Sequence, residues 1–433
     1  MHSSEDHIKR RRGANTTPHV AREYLGNVAL MILLVEATAC GSLVGVESSP
    51  SRVDATAVET PANAALLVSG AAANFTCAFA DYITGAGLVS GELQWASTSP
   101  WGREYDQRVF NPASGFYATQ TCDTGLGIYK PLSTARWQAD HTLELLKGWT
   151  DQQVQNRQAL IATAAAYSGY AHVLLGEGMC SAAFDLGPEL KPDAIFVRAE
   201  DRFTQALTAA QAASLPNMTN LALVGRARAR LDLGKKAEAA ADAQLVTDGF
   251  VFNATYSAAR FRTNNFIFAN VNRDEGVVVG ASFRAMAYSG TSDPRVGVRN
   301  VGRLAADHVT PLWVQTKYAS LDAAVPIATY REALLISAEA QLGQPAVDAI
   351  NKLHARAGLA PFSSTDNAQI MQQIIYERRA EFFLESQALG DIRRLSLPLT
   401  PAAGVPYPSG GTYGSQSCFP LPDNERLNNP NIS

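Results

Sequence analysis

The chain carries no excess of positive charge. Its 36 Lys and Arg stand against 40 Asp and Glu over 433 residues, a formal charge of −4, so a nucleic-acid backbone is not an expected partner. The five cysteines, Cys40, Cys77, Cys122, Cys180 and Cys418, include no CxxC pair, which removes local support for a zinc ribbon or a thioredoxin-like redox site. Seven histidines form neither HExxH nor His-x-His, and neither GxSxG nor GxxxxGK[ST] occurs, so there is no metalloprotease helix, nucleophile elbow or phosphate-cradling loop. No catalytic residue, metal or cofactor is therefore expected. The N-terminal apolar run Val28–Val35 is also too short for a span, because crossing roughly 30 Å of hydrocarbon takes about 20 apolar residues.

What that run does have is the order of an export signal: basic residues Lys9 to Arg12, the apolar stretch, then Ala37-Thr38-Ala39-Cys40. Residues 1–39 are expected to be a signal peptide. A cysteine directly after small residues resembles a bacterial lipobox, so Cys40 is the expected lipidation site and residues 40–61, rich in Ser, Val and Thr, the tether leaving it. With Cys40 acylated, four cysteines remain for up to two disulfides or for buried free thiols, and spacing does not decide between them.

The body, residues 62–433, reads as mostly helical. Alanine-rich amphipathic runs end in Leu175-Gly176, Leu233-Gly234 and Leu342-Gly343, a self-similarity that predicts helix-turn-helix repeats over about 143–249 and 327–394. Each hairpin leaves an apolar face that only a neighbour can close, so stacking into a curved scaffold is expected. A last helix, about 367–389, is expected to start at an Asp366 N-cap paired with Gln369 and to bury Met371, Ile375, Phe382 and Leu389. Loop-rich stretches interrupt the helices at about 88–129 and 250–326, with strands expected at Phe266-Ile-Phe268 and Val277–Val279.

Candidate function sits in those loops. Trp95, Trp101 and Tyr105 cluster with Glu92, Gln94 and Asp106, while Tyr288 and Trp313 lie in the second stretch. Flat aromatic faces beside amides and carboxylates suit the C–H faces and hydroxyls of sugars; the competing reading is that these rings fill gaps between loops and helices. Trp137 and Trp149, beside the first helices, are expected in the core. Glu377, Arg378, Arg379, Glu381 and Glu385 are spaced for ion pairs along one helix, and neighbouring guanidinium groups would hold the acids ionised rather than poise one as a glycosidase acid.

Several phrases together resemble the SusD/RagB family. They are Asp293-Pro-Arg295, Lys317-Tyr318, Tyr330–Ala340, Ala349–Leu359, Glu377–Glu385, Asp391–Arg394 and Phe419-Pro-Leu-Pro422, in that order along the C-terminal third. The resemblance implies a tetratricopeptide-like all-α scaffold with long loops and a few short strands. It also implies a lipoprotein on the exterior of the outer membrane that captures an oligomeric nutrient, a glycan first among them, for a SusC-like TonB-dependent transporter. An exported repeat scaffold that grips other proteins is the alternative expectation.

Overall fold

The computed structural model describes residues 54–122 and 126–432. The expected signal peptide and Cys40 lie outside the described residues, as does the tether through residue 53. Of the N-terminal unit, residues 1–58, one helical turn is described, Ala55–Val58. The architecture below is that of residues 59–433.

Helix accounts for about 53% of the structure. The first long element is α1 (Ala64–Ser90), whose run of Ala and small residues lets later helices approach closely, and Gly91 ends it in a left-handed turn at φ 81°. A short strand β1 (Leu93–Trp95) and two brief helices, α2 (Arg103–Gln107) and α3 (Phe116–Thr119), follow. Then come the paired helices α4 (Tyr129–Gly148), α5 (Arg157–Gly178), α6 (Pro192–Ala212), α7 (Pro216–Asp232) and α8 (Lys236–Gln244), each packed on the one before it.

Close packing in this stack depends on where glycine lacks a side chain. The Phe203 ring of α6 lies between α5 and α7, and a Cβ on Gly169 or Gly225 would come within 2.7 and 2.3 Å of it. A similar contact overturns one expected turn. Leu175-Gly176 does not end a helix; α5 runs on to Gly178, and Gly176 instead admits the Phe196 ring, 2.4 Å from where its Cβ would be. Gly234, by contrast, takes the expected left-handed conformation, φ 72°, between α7 and α8.

Among the described residues, four two-stranded antiparallel ladders occupy the irregular regions. β2 (Val251–Ala254) pairs with β8 (Val325–Thr329), β4 (Ala287–Tyr288) with β5 (Thr291–Ser292), and β6 (Val298–Leu304) with β7 (Pro311–Gln315). β3 (Val277–Val279) is a strand as expected and pairs back to β1, Gln94 opposite Val278. Phe266-Ile-Phe268, expected as strand, is a helical turn, capped by the Asn265 side chain on the Ile267 and Phe268 N–H groups. A local cap outweighs the β-propensity of the aromatic and branched residues.

The C-terminal helices are α9 (Tyr330–Gln341), α10 (Gly343–Ala357), α11 (Asn367–Glu381) and α12 (Ala388–Arg394). Asp366 caps α11 through the Ala368 N–H, but Gln369 closes no box on it, because the Ser364 hydroxyl takes Gln369 Oε1 instead. The expected single helix through 389 breaks after Glu381. Lys317 donates to the Phe383 carbonyl, Tyr318 to the Leu384 carbonyl, and Leu384 N–H to Glu92 Oε1, so tertiary partners replace the helical ladder. The buried face of α11 is also shifted from the expected stripe. It comprises Ile370, Ile374, Glu377, Arg378, Ala380 and Glu381, leaving Met371 and Ile375 half-buried, while Phe382 and Leu389 beyond the helix are buried as expected.

That face is charged because its partners arrive from other elements. Glu381 takes Arg331 Nη1 at 2.6 Å and Arg295 Nη1 at 3.1 Å, Glu385 takes Lys317 Nζ at 2.6 Å, and Glu377 holds His354 Nε2 at 2.8 Å. The expected pairing along one helix is thus replaced by pairing across helices, which a buried network requires because lone charges are costly away from water. Two disulfides complete the frame, Cys77–Cys122 and Cys180–Cys418.

Candidate functional site

β1 and β3 place Gln94 beside the turn that follows β3. There Arg284 donates from Nε to the Val279 carbonyl at 2.8 Å and from Nη2 to Gln94 Oε1 at 3.0 Å. Its guanidinium lies 5.6 Å from the centre of the Trp313 ring of β7, within the reach of a cation–π attraction. No carboxylate neutralises Arg284 among the described residues, and burial alone depresses its pKa. Gln94, Arg284 and Trp313 are all half-buried, so an uncompensated cation, an amide and an indole meet at a surface that a ligand can reach.

Trp95 leaves β1 on the opposite face from Gln94. Its indole N–H donates to the Ser99 carbonyl at 2.8 Å, and its ring lies against Gly102, where a Cβ would stand 2.2 Å away. The Trp95 amide donates to Asp106 Oδ2 at 3.0 Å; burial pushes that carboxyl up to about 7, with Tyr407 as a second donor. Trp101 is 49% exposed and stacks on Phe116, centroids 5.2 Å apart. The ring therefore offers one face to solvent while Phe116 holds the other.

Tyr105 does not belong to this surface. It is fully buried, donates its hydroxyl to the Leu126 carbonyl at 2.5 Å and meets Phe419 edge-on. This corrects the expectation of ligand contact: on the short α2 its ring turns inward, where the aromatic core takes it. Tyr288 is half-buried and packs edge-on against His354 at 4.4 Å, with Tyr376 beside it. The five expected residues thus separate into Trp313 with Arg284, the Trp95–Trp101 loop, Tyr288 on His354, and Tyr105 in the core.

Arg284 is the residue sequence reasoning missed. It lies 190 positions from Gln94, and no local pattern marks an Arg whose partners arrive from two distant strands. Among the described residues no group of three or more His, Cys, Asp or Glu side chains is arranged to hold a metal ion.

A comparison with curated proteins finds none that is similar. The SusD family model matches residues 285–433. Among solved structures, a SusD superfamily protein from Bacteroides fragilis aligns with a TM-score of 0.66 at 14% identity, covering 86% of this chain and 99% of that one. A SusD-like carbohydrate binding protein from Bacteroides vulgatus aligns at 0.64 and 13%, covering 86% and 97%. A laminarin binding SusD-like protein aligns at 0.57 and 14%, covering 84% and 98%. Residues 285–433 thus match the SusD family model, and the mostly helical, few-stranded architecture described above is the fold of the solved SusD superfamily structures.

Proposed function

We propose that this protein is a surface-exposed nutrient-binding lipoprotein that captures an oligomeric substrate, a glycan, and passes it without turnover to a SusC-like TonB-dependent transporter. In this reading residues 1–39 are a signal peptide, Cys40 carries the lipid, residues 40–61 form the tether, and residues 62–433 act as one binding body.

The observation that carries the reading is the Gln94–Arg284–Trp313 group. A sugar ring has an apolar C–H face that an indole accepts and hydroxyls that an amide and an uncompensated guanidinium bind. Trp101, half exposed on Phe116, supplies a second flat face, and Trp95 and Tyr288 stiffen the loops around it. Two relatives in fold are described as carbohydrate binding and laminarin binding, which supports the ligand class.

The test is calorimetric titration of the purified protein with a panel of oligosaccharides, laminarihexaose included. At least one is expected to bind, and Trp313→Ala or Arg284→Ala is expected to weaken it about tenfold or more while thermal stability holds, since a platform of this kind is worth roughly 1–3 kcal/mol. Parallel loss of stability and binding in both variants would refute the placement. Purification of the lipidated protein from outer membranes should bring down a large β-barrel partner, and Cys40→Ala should free the protein from the membrane fraction. Capture of soluble proteins instead, with no glycan bound, would favour a general repeat scaffold.

A further inference from the structure

Trp137 sits where the sequence does not lead one to look. Expected in the core, it is 49% exposed. The inward face of α4 is taken by Leu132, Ala135, Ala139 and Leu143, which leaves Trp137 on the outward side with Lys130, Ser133 and Thr134. One face of its indole is covered by the His141 ring, nearly parallel at 9° and 4.9 Å, and His141 is anchored by Glu59 at 2.9 Å. Since His141 follows one turn later on the helix, the other indole face looks back over Ser133 and Lys130.

Trp137 lines a cleft of about 520 Å³ between α4 and the C-terminal segment around Pro422, a volume within the usual range for small-ligand sites, roughly 300–1,000 Å³. Asn424 and Glu425 form the far wall. The polar ends of Lys130, Thr134 and Asn424 make no hydrogen bond among the described residues, and burial raises the Glu425 carboxyl. A rigid aromatic plate, an ammonium, a hydroxyl, an amide and a carboxyl therefore converge on one cavity. The centre of a protein-docking face is depleted of lysine; this cleft sets two rings, Tyr129 and Trp137, beside Lys130 and a margin of polar groups.

We infer that the Trp137 cleft is a second saccharide-binding site, taking one or two uncharged sugar units of the glycan with a ring stacked on the open indole face. It rests on the glycan-binding reading for its ligand class, but none of its lining residues belongs to the Gln94–Arg284–Trp313 group.

The test labels the protein with 5-fluorotryptophan, giving one fluorine resonance for each of its five tryptophans, with Trp137→Phe assigning the relevant signal. Laminarihexaose, maltohexaose, cellohexaose and xylohexaose are titrated to about 10 mM, enough to saturate millimolar affinity. At least one is expected to shift the Trp137 resonance saturably, with the shift kept in Trp313→Ala and its affinity weakened about tenfold in Lys130→Ala/Thr134→Ala, as for two lost hydrogen bonds. Movement of Trp313 with a silent Trp137 would overturn this site and leave the first standing. Silence of both would overturn both, and a Trp137 shift abolished by Trp313→Ala would show one binding event rather than two.

Discussion

Replacing Glu92 by Gln tests how the region beneath the candidate site is held together. Glu92 is 3% exposed, and its Oε1 accepts the Leu384 N–H at 3.2 Å across the break between α11 and α12. Burial outweighs that bond and the pull of Lys317 and Arg379, and lifts the carboxyl from an ordinary 4.5 to about 7. A folded value above the unfolded one means that the fold prefers the protonated acid. The stability attached to this group is therefore fully present below pH 4.5 and is lost as pH rises through about 7. The gap corresponds to about 3 kcal/mol at pH 8 but only about 1 kcal/mol at pH 5. Gln keeps the acceptor for Leu384 and has no charge to desolvate, so Glu92→Gln should be more stable than wild type by those amounts. With about 2 cal/mol/K of unfolding entropy per residue, a body of this size converts the pH 8 gain into a melting shift of about 4 °C. Thermal unfolding of both proteins at pH 5 and pH 8 reads it directly. An equal gain at both pH values, or a loss at pH 8, would refute the reasoning, because only an ionising buried acid makes the gain grow with pH.

Arg295 should be costly to remove. It joins Asp293, Glu377 and Glu381 within the buried network, and Arg295→Met should cost about 3–5 kcal/mol in denaturant unfolding, since three acids lose their shared partner; a cost below about 1 kcal/mol would mean the acids are solvated or neutral. The disulfides should differ in weight, because Cys180–Cys418 closes 238 positions and Cys77–Cys122 only 45. Chain entropy then makes the Cys180→Ser/Cys418→Ser pair the more destabilising by about 1.5 kcal/mol, and the reverse order in parallel denaturations would count against that account.

Where helix neighbours settle a residue's environment, reading the chain was enough. The stack of α5 to α8, the left-handed Gly234, the Asp366 cap and the Val277–Val279 strand all follow from local spacing, and the ordered phrases from Asp293 to Pro422 point to the family. Reading failed where the deciding partner came from far along the chain. Leu175-Gly176 looks like a turn until Phe196 arrives to use the glycine as a notch, and the helix after Glu381 looks continuous until Lys317, Tyr318 and Glu92 take its carbonyls and amide. The acids of α11 read as pairing along their own helix until Arg295 and Arg331 arrive from other segments to take them.

The candidate site divides in the same way. Trp95, Trp101, Tyr288 and Trp313 stood out by type and by their place in loops, but Tyr105 could not be told from them because aromatic composition carries no direction. Arg284, which ties Gln94 to Trp313, has no local signature, and Trp137 faces outward because of a one-turn phase that composition does not show. The chain by itself determined the helical class and the repeat, since these depend on propensity and periodicity within a few turns. Only the tertiary structure decided which rings face solvent, which acids find cations and which cysteines pair, because burial and charge pairing are properties of segments brought together from tens to hundreds of residues apart.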